Sequence, residues 1–171
     1  TGDTALRIMD DNKLEHLPLV GDEQYMSLIK ESDLLDWETP NNALSKADFL
    51  QYSPAVFYDG HPYDAIRVAY DQNLSIVPVV DMQNNYMGAI TRVDLLNYVA
   101  QTSGLDNPGG IIVLEIDFND YSLYEMVRIC EREDVAVIST QMRHNRETGK
   151  IELTIKTNKR HLDSLSNTYE R

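Results

Sequence analysis

His16-Leu17-Pro18-Leu19-Val20 and Ile76-Val77-Pro78-Val79-Val80 are two versions of one pattern, set 60 positions apart. Upstream of each, at the same spacing, Ala5-Leu6-Arg7-Ile8-Met9 answers Ala65-Ile66-Arg67-Val68-Ala69. Downstream, Tyr25-Met26-Ser27-Leu28-Ile29 answers Tyr86-Met87-Gly88-Ala89-Ile90, and Asp33-Leu34-Leu35 answers Asp94-Leu95-Leu96, now 61 positions apart. The added residue falls in the polar turn Met82-Gln83-Asn84-Asn85, where an insertion disturbs no packing. Four blocks kept in one order define an internal repeat, and a repeat sets the architecture before any single element does.

The second copy is readable in full. Ala55-Val56-Phe57-Tyr58 is a short strand, and Asp59-Gly60-His61-Pro62 is a turn whose proline suits the first turn of a helix. Ala65, Ile66, Ala69 and Tyr70 then share a helical face. Ile76–Val80 is almost wholly apolar, as a strand covered on both sides must be. Pro78 within it argues for an edge or a bulge. Tyr86–Ile90 is the next strand, and Thr91 opens a helix carrying Val93, Leu95, Leu96, Val99 and Ala100. The unit is β-α-β-β-α, preceded by a short helix at 45–50. The counterpart of that lead-in for the first copy would lie before Thr1, so the natural chain is expected to extend upstream.

These residues resemble the CBS repeat, in the order A-(L/I)-x-x-(M/A), (L/V)-P-(L/V)-V, Tyr-Met-(S/G)-x-Ile and Asp-Leu-Leu. The resemblance spans about residues 1–102. It implies a pseudo-symmetric pair of repeats (a Bateman module), 1–42 and 43–102, with clefts that take adenine nucleotides or related adenosyl ligands. Possible regulatory ligands are then AMP, ADP, ATP or S-adenosylmethionine, with no cofactor required.

The second repeat carries Gly88-Ala89-Ile90-Thr91-Arg92-Val93-Asp94, a G-x-x-T-x-x-D arrangement. Glycine lets a ligand approach the strand closely. Threonine stands where a helix begins, beside N–H groups that attract phosphate. Asp94 can accept two hydrogen bonds from a sugar diol, and Arg92 can neutralise phosphate. By resemblance the base lies against Ala55, Val56 and Phe57 and against Ile76, Val77 and Pro78. A second reading of the same residues is a capping box that simply starts the helix, and the two can coexist. The first repeat has Ser27, Lys30 and Asp33 at these places, with Ser32 as the expected cap. Lys30 is either a charge lent to one asymmetric site or a solvated lysine.

The segment 103–110 is a linker, and 111–171 forms a smaller domain. Ile111–Phe118 is a strand, Leu123–Glu133 a helix capped by Ser122 or Asp120, and Val135–Met142 a strand. Lys150–Thr157 alternates as an antiparallel strand, and Asn158 caps a final helix with Leu162 and Leu165. This order resembles an ACT (ferredoxin-like) domain lacking its last strand, so the C-terminus also reads as truncated. The turn Phe118–Ser122 lacks the glycine usual in amino-acid-binding ACT domains, which points to dimerisation instead. The fold class is therefore α/β (α+β), and the domain order is similar to the acetoin-utilization type of CBS protein.

Composition sets the remaining limits. The 171 residues carry a formal charge of −13, a field that repels nucleic acid. No apolar run approaches the roughly 20 residues of a membrane span, and no secretory leader is visible. The single cysteine, Cys130, on a helix face, reads as a buried thiol in a reducing cytoplasm. His16, His61, His144 and His161 have no Cys or His partner at metal-ligand spacing. No nucleophile motif or phosphate loop occurs. The expectation is a cytoplasmic homodimeric regulatory module that binds a small adenosyl ligand and is not an enzyme. A ligand-free interaction module and an amino-acid sensor are the alternatives.

Overall fold

A computed structural model describes residues 1–160. The expected final helix with Leu162 and Leu165, and His161, lie outside the described residues. The chain divides into two compact units, Thr1–Leu96 and Asn97–Arg171.

In the first unit the order is α1 (Gly2–Asn12), β1 (His16–Gly21), β2 (Gln24–Lys30) and α2 (Glu31–Leu35), then β3 (Val56–Phe57), α3 (Pro62–Asp71), β4 (Ile76–Val80) and β5 (Tyr86–Thr91). Helix α4 (Arg92–Thr102) begins at its end. The hydroxyl of Thr1 accepts from the N–H of Thr4 and caps α1, which buries Ala5 and Met9. Lys13, with φ 55°, turns the chain out of α1, and Asn73, with φ 52°, does the same after α3. Pro62 enters α3 in its first turn while His61 Nδ1 accepts from the Tyr63 N–H at 3.1 Å. The lead-in at 45–50 is not a helix: a single 3-10 turn, Leu44–Lys46, stands there. Helix α2 has Lys30 at its N-cap with no side-chain cap bond, so Ser32 does not play that part.

The two copies superimpose in register. Pro18 faces Leu28 across β1–β2, and Pro78 faces Ala89 across β4–β5. The pairing slips between Leu19 and Val20 in one copy and between Val79 and Val80 in the other, so each carries the same bulge. Pro78 does not lie on an edge strand, because the sheet order is β3-β4-β5. The proline is tolerated for a local reason. The Ser75 carbonyl accepts from Arg92 on the β5 side, and strand alternation then turns the Pro78 nitrogen away from β5. On that other side β3 pairs only from Val79 onward, so no ladder bond is lost.

The repeats share one core. Tyr25 and Leu28 from the first meet Ala65, Leu74, Val77 and Leu95 from the second. The hairpin turns interlock: Tyr25 N–H donates to the Asn84 carbonyl at 3.0 Å and Tyr86 N–H to the Glu23 carbonyl at 2.8 Å. The buried Tyr25 hydroxyl donates to the Pro54 carbonyl at 2.9 Å, and burial pushes its ionisation well above the usual range. Ala5, Met9, Ile29 and Leu34 form a smaller core beneath Trp37 and Phe49. Each fully buried Leu or Met of these sets contributes about 1.5–3 kcal/mol.

The second unit has β6 (Ile111–Asp117), α5 (Leu123–Arg132), β7 (Val137–His144) and β8 (Lys150–Thr157). The sheet order is β6-β8-β7 with antiparallel neighbours, so β6 and β7 run parallel with β8 between them, a split β-α-β. Ile151, Leu153 and Ile155 are buried at every second position and pack with Ile112, Cys130 and Val135. The Ser122 hydroxyl caps α5 by accepting from the Glu125 N–H at 3.4 Å. Asn158 accepts from the Ala136 N–H through Oδ1 at 2.9 Å.

Candidate functional site

The β5–α4 junction carries the G-x-x-T-x-x-D residues. Gly88 has φ 141°, a conformation that favours glycine. A Cβ placed there would meet nothing within 4 Å, so the strand backbone is open on that side. Three residues on, Asp94 Oδ2 accepts from the Thr91 N–H at 2.9 Å and from the Thr91 hydroxyl at 2.7 Å. The Asp94 N–H donates back to Thr91 Oγ1 at 3.1 Å. This reciprocal pair is a complete capping box. The bonds from Thr91 hold the Asp94 carboxyl below the usual carboxylate range, although the residue itself is exposed. Asp94 Oδ1 takes part in none of these bonds.

Arg92 is anchored. Its Nε donates to the Leu74 carbonyl at 3.2 Å, and its guanidinium reaches the Asn73 carbonyl and side chain at 3.3 Å. Thr91 and Arg92 line a cleft of about 280 Å³ whose far wall is Asn12, Lys13, Leu14 and Glu15 of the first repeat, with Ser75 at its base. Lys13 and Arg92 give this cleft two cations, and Glu15 is its one carboxylate; the proton of the Thr91 hydroxyl is already given to Asp94.

The apolar residues expected around a base fall into two sets. Ile76, Val77 and Pro78 are buried in the shared core, Val77 with no exposed surface at all. Ala55 and Val56 are half-buried, and Phe57 is exposed. Strand β3 is held beside β4 by the pairs Val56–Val79 and Phe57–Val80. Only the first set lies directly across from the junction: Ile76 pairs with Thr91, and Pro78 with Ala89.

In the first repeat the counterpart site is built differently. Ser27 is fully buried and donates to the Tyr52 carbonyl at 3.1 Å. The Lys30 ammonium sits 4.7 Å above the Tyr52 ring, a cation–π contact in place of a cap. Asp33 lines a separate cleft of about 520 Å³ beside Trp37, Lys46, Asp48 and Phe49.

Sequence reasoning missed Lys13, Asn12 and Ser75 as cleft residues. Their only signal was position: Lys13 ends a repeat helix and Ser75 precedes a repeat strand, places where the two copies must meet. Among the described residues, no group of three or more His, Cys, Asp or Glu side chains is arranged to hold a metal ion. No helix among them is long and apolar enough to cross a membrane.

Comparison with known proteins bears on the fold. Residues 51–101, the second repeat, match the family model of the CBS domain. A CBS domain pair/ACT domain protein from Thermotoga maritima is 18% identical with a TM-score of 0.50, over 59% of this chain and 83% of that one. The α+β fold of the matched part is thus that of a CBS domain pair. The CBS domains of a transcriptional regulator from Streptococcus pneumoniae are 17% identical, with a TM-score of 0.48, over 57% of this chain and 81% of that one. CBSX2 in complex with AMP is 25% identical, with a TM-score of 0.47, over 58% of this chain and 82% of that one.

Proposed function

We propose that the chain is a regulatory module that senses an adenine nucleotide or related adenosyl ligand through its second repeat, with no catalytic step of its own. The observation that carries this reading is the junction at Gly88: bare, open strand backbone leading straight into a helix start flanked by Thr91, Arg92 and Lys13. Asp94 Oδ1 takes the sugar hydroxyls while Oδ2 keeps the cap, and Thr91 and Arg92 face the phosphate end. The exposed Phe57 and half-buried Ala55 and Val56 offer the base a surface; Ile76, Val77 and Pro78 support it from within the core. The altered Ser27, Lys30 and Asp33 make the first repeat a poor second site.

The 111–160 segment fits an ACT-like domain, since β6-β8-β7 with one crossover helix makes the first four of that topology's six elements. This domain order also supports the likeness to the acetoin-utilization type. A homodimer is part of the same reading. The equivalent leucines Leu35 and Leu96 are each 67% exposed, and Val93 beside Leu96 is 65% exposed, an apolar surface suited to association. Light scattering at micromolar concentration should give twice the chain mass; a monomer would count against it.

The ligand reading is tested by calorimetric titration with AMP, ATP and S-adenosylmethionine. Asp94→Ala should weaken the ligand that binds by about tenfold to a hundredfold, the cost of losing a charged acceptor. It should also lower Tm by a few degrees through the lost cap. Asp94→Asn keeps an acceptor for the cap and should separate the two effects, with affinity falling further than stability. Asp33→Ala should leave affinity nearly unchanged. Equal affinity of Asp94→Ala and the parent would end the assignment to the sugar.

A further inference from the structure

We propose that the contact between His16 and Ser75 is a proton-operated latch between the two repeats, closed while His16 is neutral and released when it is protonated. The proposal does not depend on any ligand.

His16 opens β1 and is 7% exposed; Ser75 stands just before β4 and is 8% exposed. Three hydrogen bonds join them across the repeat boundary, and a fourth joins Ser75 to Glu15. The Ser75 hydroxyl oxygen accepts from the N–H groups of Glu15 and His16, both at 3.0 Å. His16 Nδ1 lies 3.3 Å from the Ser75 N–H and 3.2 Å from its hydroxyl. A hydroxyl has one proton and two lone pairs. With both lone pairs engaged by backbone N–H groups, its proton goes to Nδ1, which also accepts from the Ser75 N–H. The Ser75 hydroxyl and N–H can both point at Nδ1, sharing its lone pair, only if Nδ1 is bare and the ring proton is on Nε2.

Protonation puts a hydrogen on Nδ1 and turns the acceptor into a donor. Two buried donors, the Ser75 N–H and hydroxyl, then face a third with no acceptor left. Leaving buried polar groups unpaired is costly, so the bridge opens. The charges around the ring are mixed. Glu15 on its own strand and Asp33 of α2 favour the protonated form; Lys30 of β2 and Arg92 of α4 oppose it. Burial outweighs them and pulls the ring below the usual histidine value of 6.5. The native state therefore binds this proton less readily than the unfolded chain. Stability from the latch is full above pH 6.5 and is lost as pH falls below that toward the lower native value.

The latch is one-sided. Under the repeat symmetry Ser75 corresponds to Glu15 and His16 to Ile76, so the mirrored contact has neither ring nitrogen nor hydroxyl. Release frees the segment that pairs with the start of α4, because the Ser75 carbonyl holds the Arg92 N–H at 3.0 Å.

The test is NMR on the whole chain between pH 8 and pH 5. The His16 ring should show the Nε2–H tautomer and titrate below the usual 6.5. Across that same titration the amides of Glu15, His16 and Ser75 should lose about tenfold in exchange protection, after correction for intrinsic rates. The Leu28 amide, bonded to the Tyr52 carbonyl within the same unit, should keep its own. His16→Gln supplies an acceptor that takes no proton, and should make protection of the Ser75 amide independent of pH. If that variant does not fold, the parent titration decides. A ring that titrates at or above 6.5, or three amides that stay protected once His16 is charged, would overturn the latch.

Discussion

Gly88 and Ser27 occupy equivalent places in β5 and β2, and the difference between them separates the two repeats. Ser27 is buried against the Tyr52 carbonyl, whereas Gly88 adopts φ 141° beside open space. Exchanging them tests which matters, the side chain or the backbone. Gly88→Ser should meet no clash, yet lose about 1–3 kcal/mol because a side chain is forced into a conformation that suits glycine. Urea denaturation measures this directly, and an unchanged midpoint would mean that the strand relaxes at no cost. The glycine itself was plain in the sequence. What filled the equivalent place in the first repeat was not, because the Tyr52 carbonyl reaches Ser27 from 25 residues away and no local pattern announces it.

Elements were legible where periodicity was strong and their context simple. The strands around Pro18 and Pro78, the helix entered at Pro62 and the alternating strand Lys150–Thr157 all stand where their patterns put them. The helix expected at 45–50 did not form, since Ala47 leaves the single 3-10 turn in extended backbone, Asp48 stands in a bend, and Phe49 packs edge-on against Trp37. Pro78 was read as the mark of an edge or a bulge; β4 is not an edge, and the bulge follows at Val79/Val80, where the neighbour β3 begins to pair. At the site, Thr91, Arg92 and Asp94 could be found from their motif. Lys13 and Ser75 could not, since only the docking of one repeat on the other brings them together. A quieter constraint governs the entry to β6. A Cβ on Gly109 would stand 1.8 Å from the Thr157 carbonyl oxygen, a backbone atom that cannot swing aside. Gly109→Ala should therefore cost at least about 2 kcal/mol and loosen the β6–β8 pairing. Thermal melts and amide exchange at Ile112 and Ile155 would show it; a variant as stable as the parent would mean that the linker shifts freely.

Among the described residues, three hydrophobic clusters, two in the first unit and one in the second, carry the packing, and most charged side chains stay at the surface. The ion pairs among the described residues are at least partly solvent-exposed on both sides, so salt should change stability little. The excess of acid, −13 in total, bears on long-range repulsion and not on the fold. One detail of β1 bears on the same property from another direction. Among the described residues this strand pairs only with β2, and wherever its other flank is unpaired it could seed cross-β growth. That flank offers almost nothing to copy. The outward N–H of His16 is already held by Ser75, and two residues later Pro18 has no N–H to give. Pro18→Val would restore a donor there and raise the β-propensity of an apolar run. Thioflavin fluorescence and turbidity on prolonged incubation should then rise for the variant at pH 7, and faster in acid once Ser75 lets go. Kinetics identical to the parent's would show that the exposed flank was never a template. The expected outcome gives the proline that made the repeat recognisable a second part, that of a guard against fibrils.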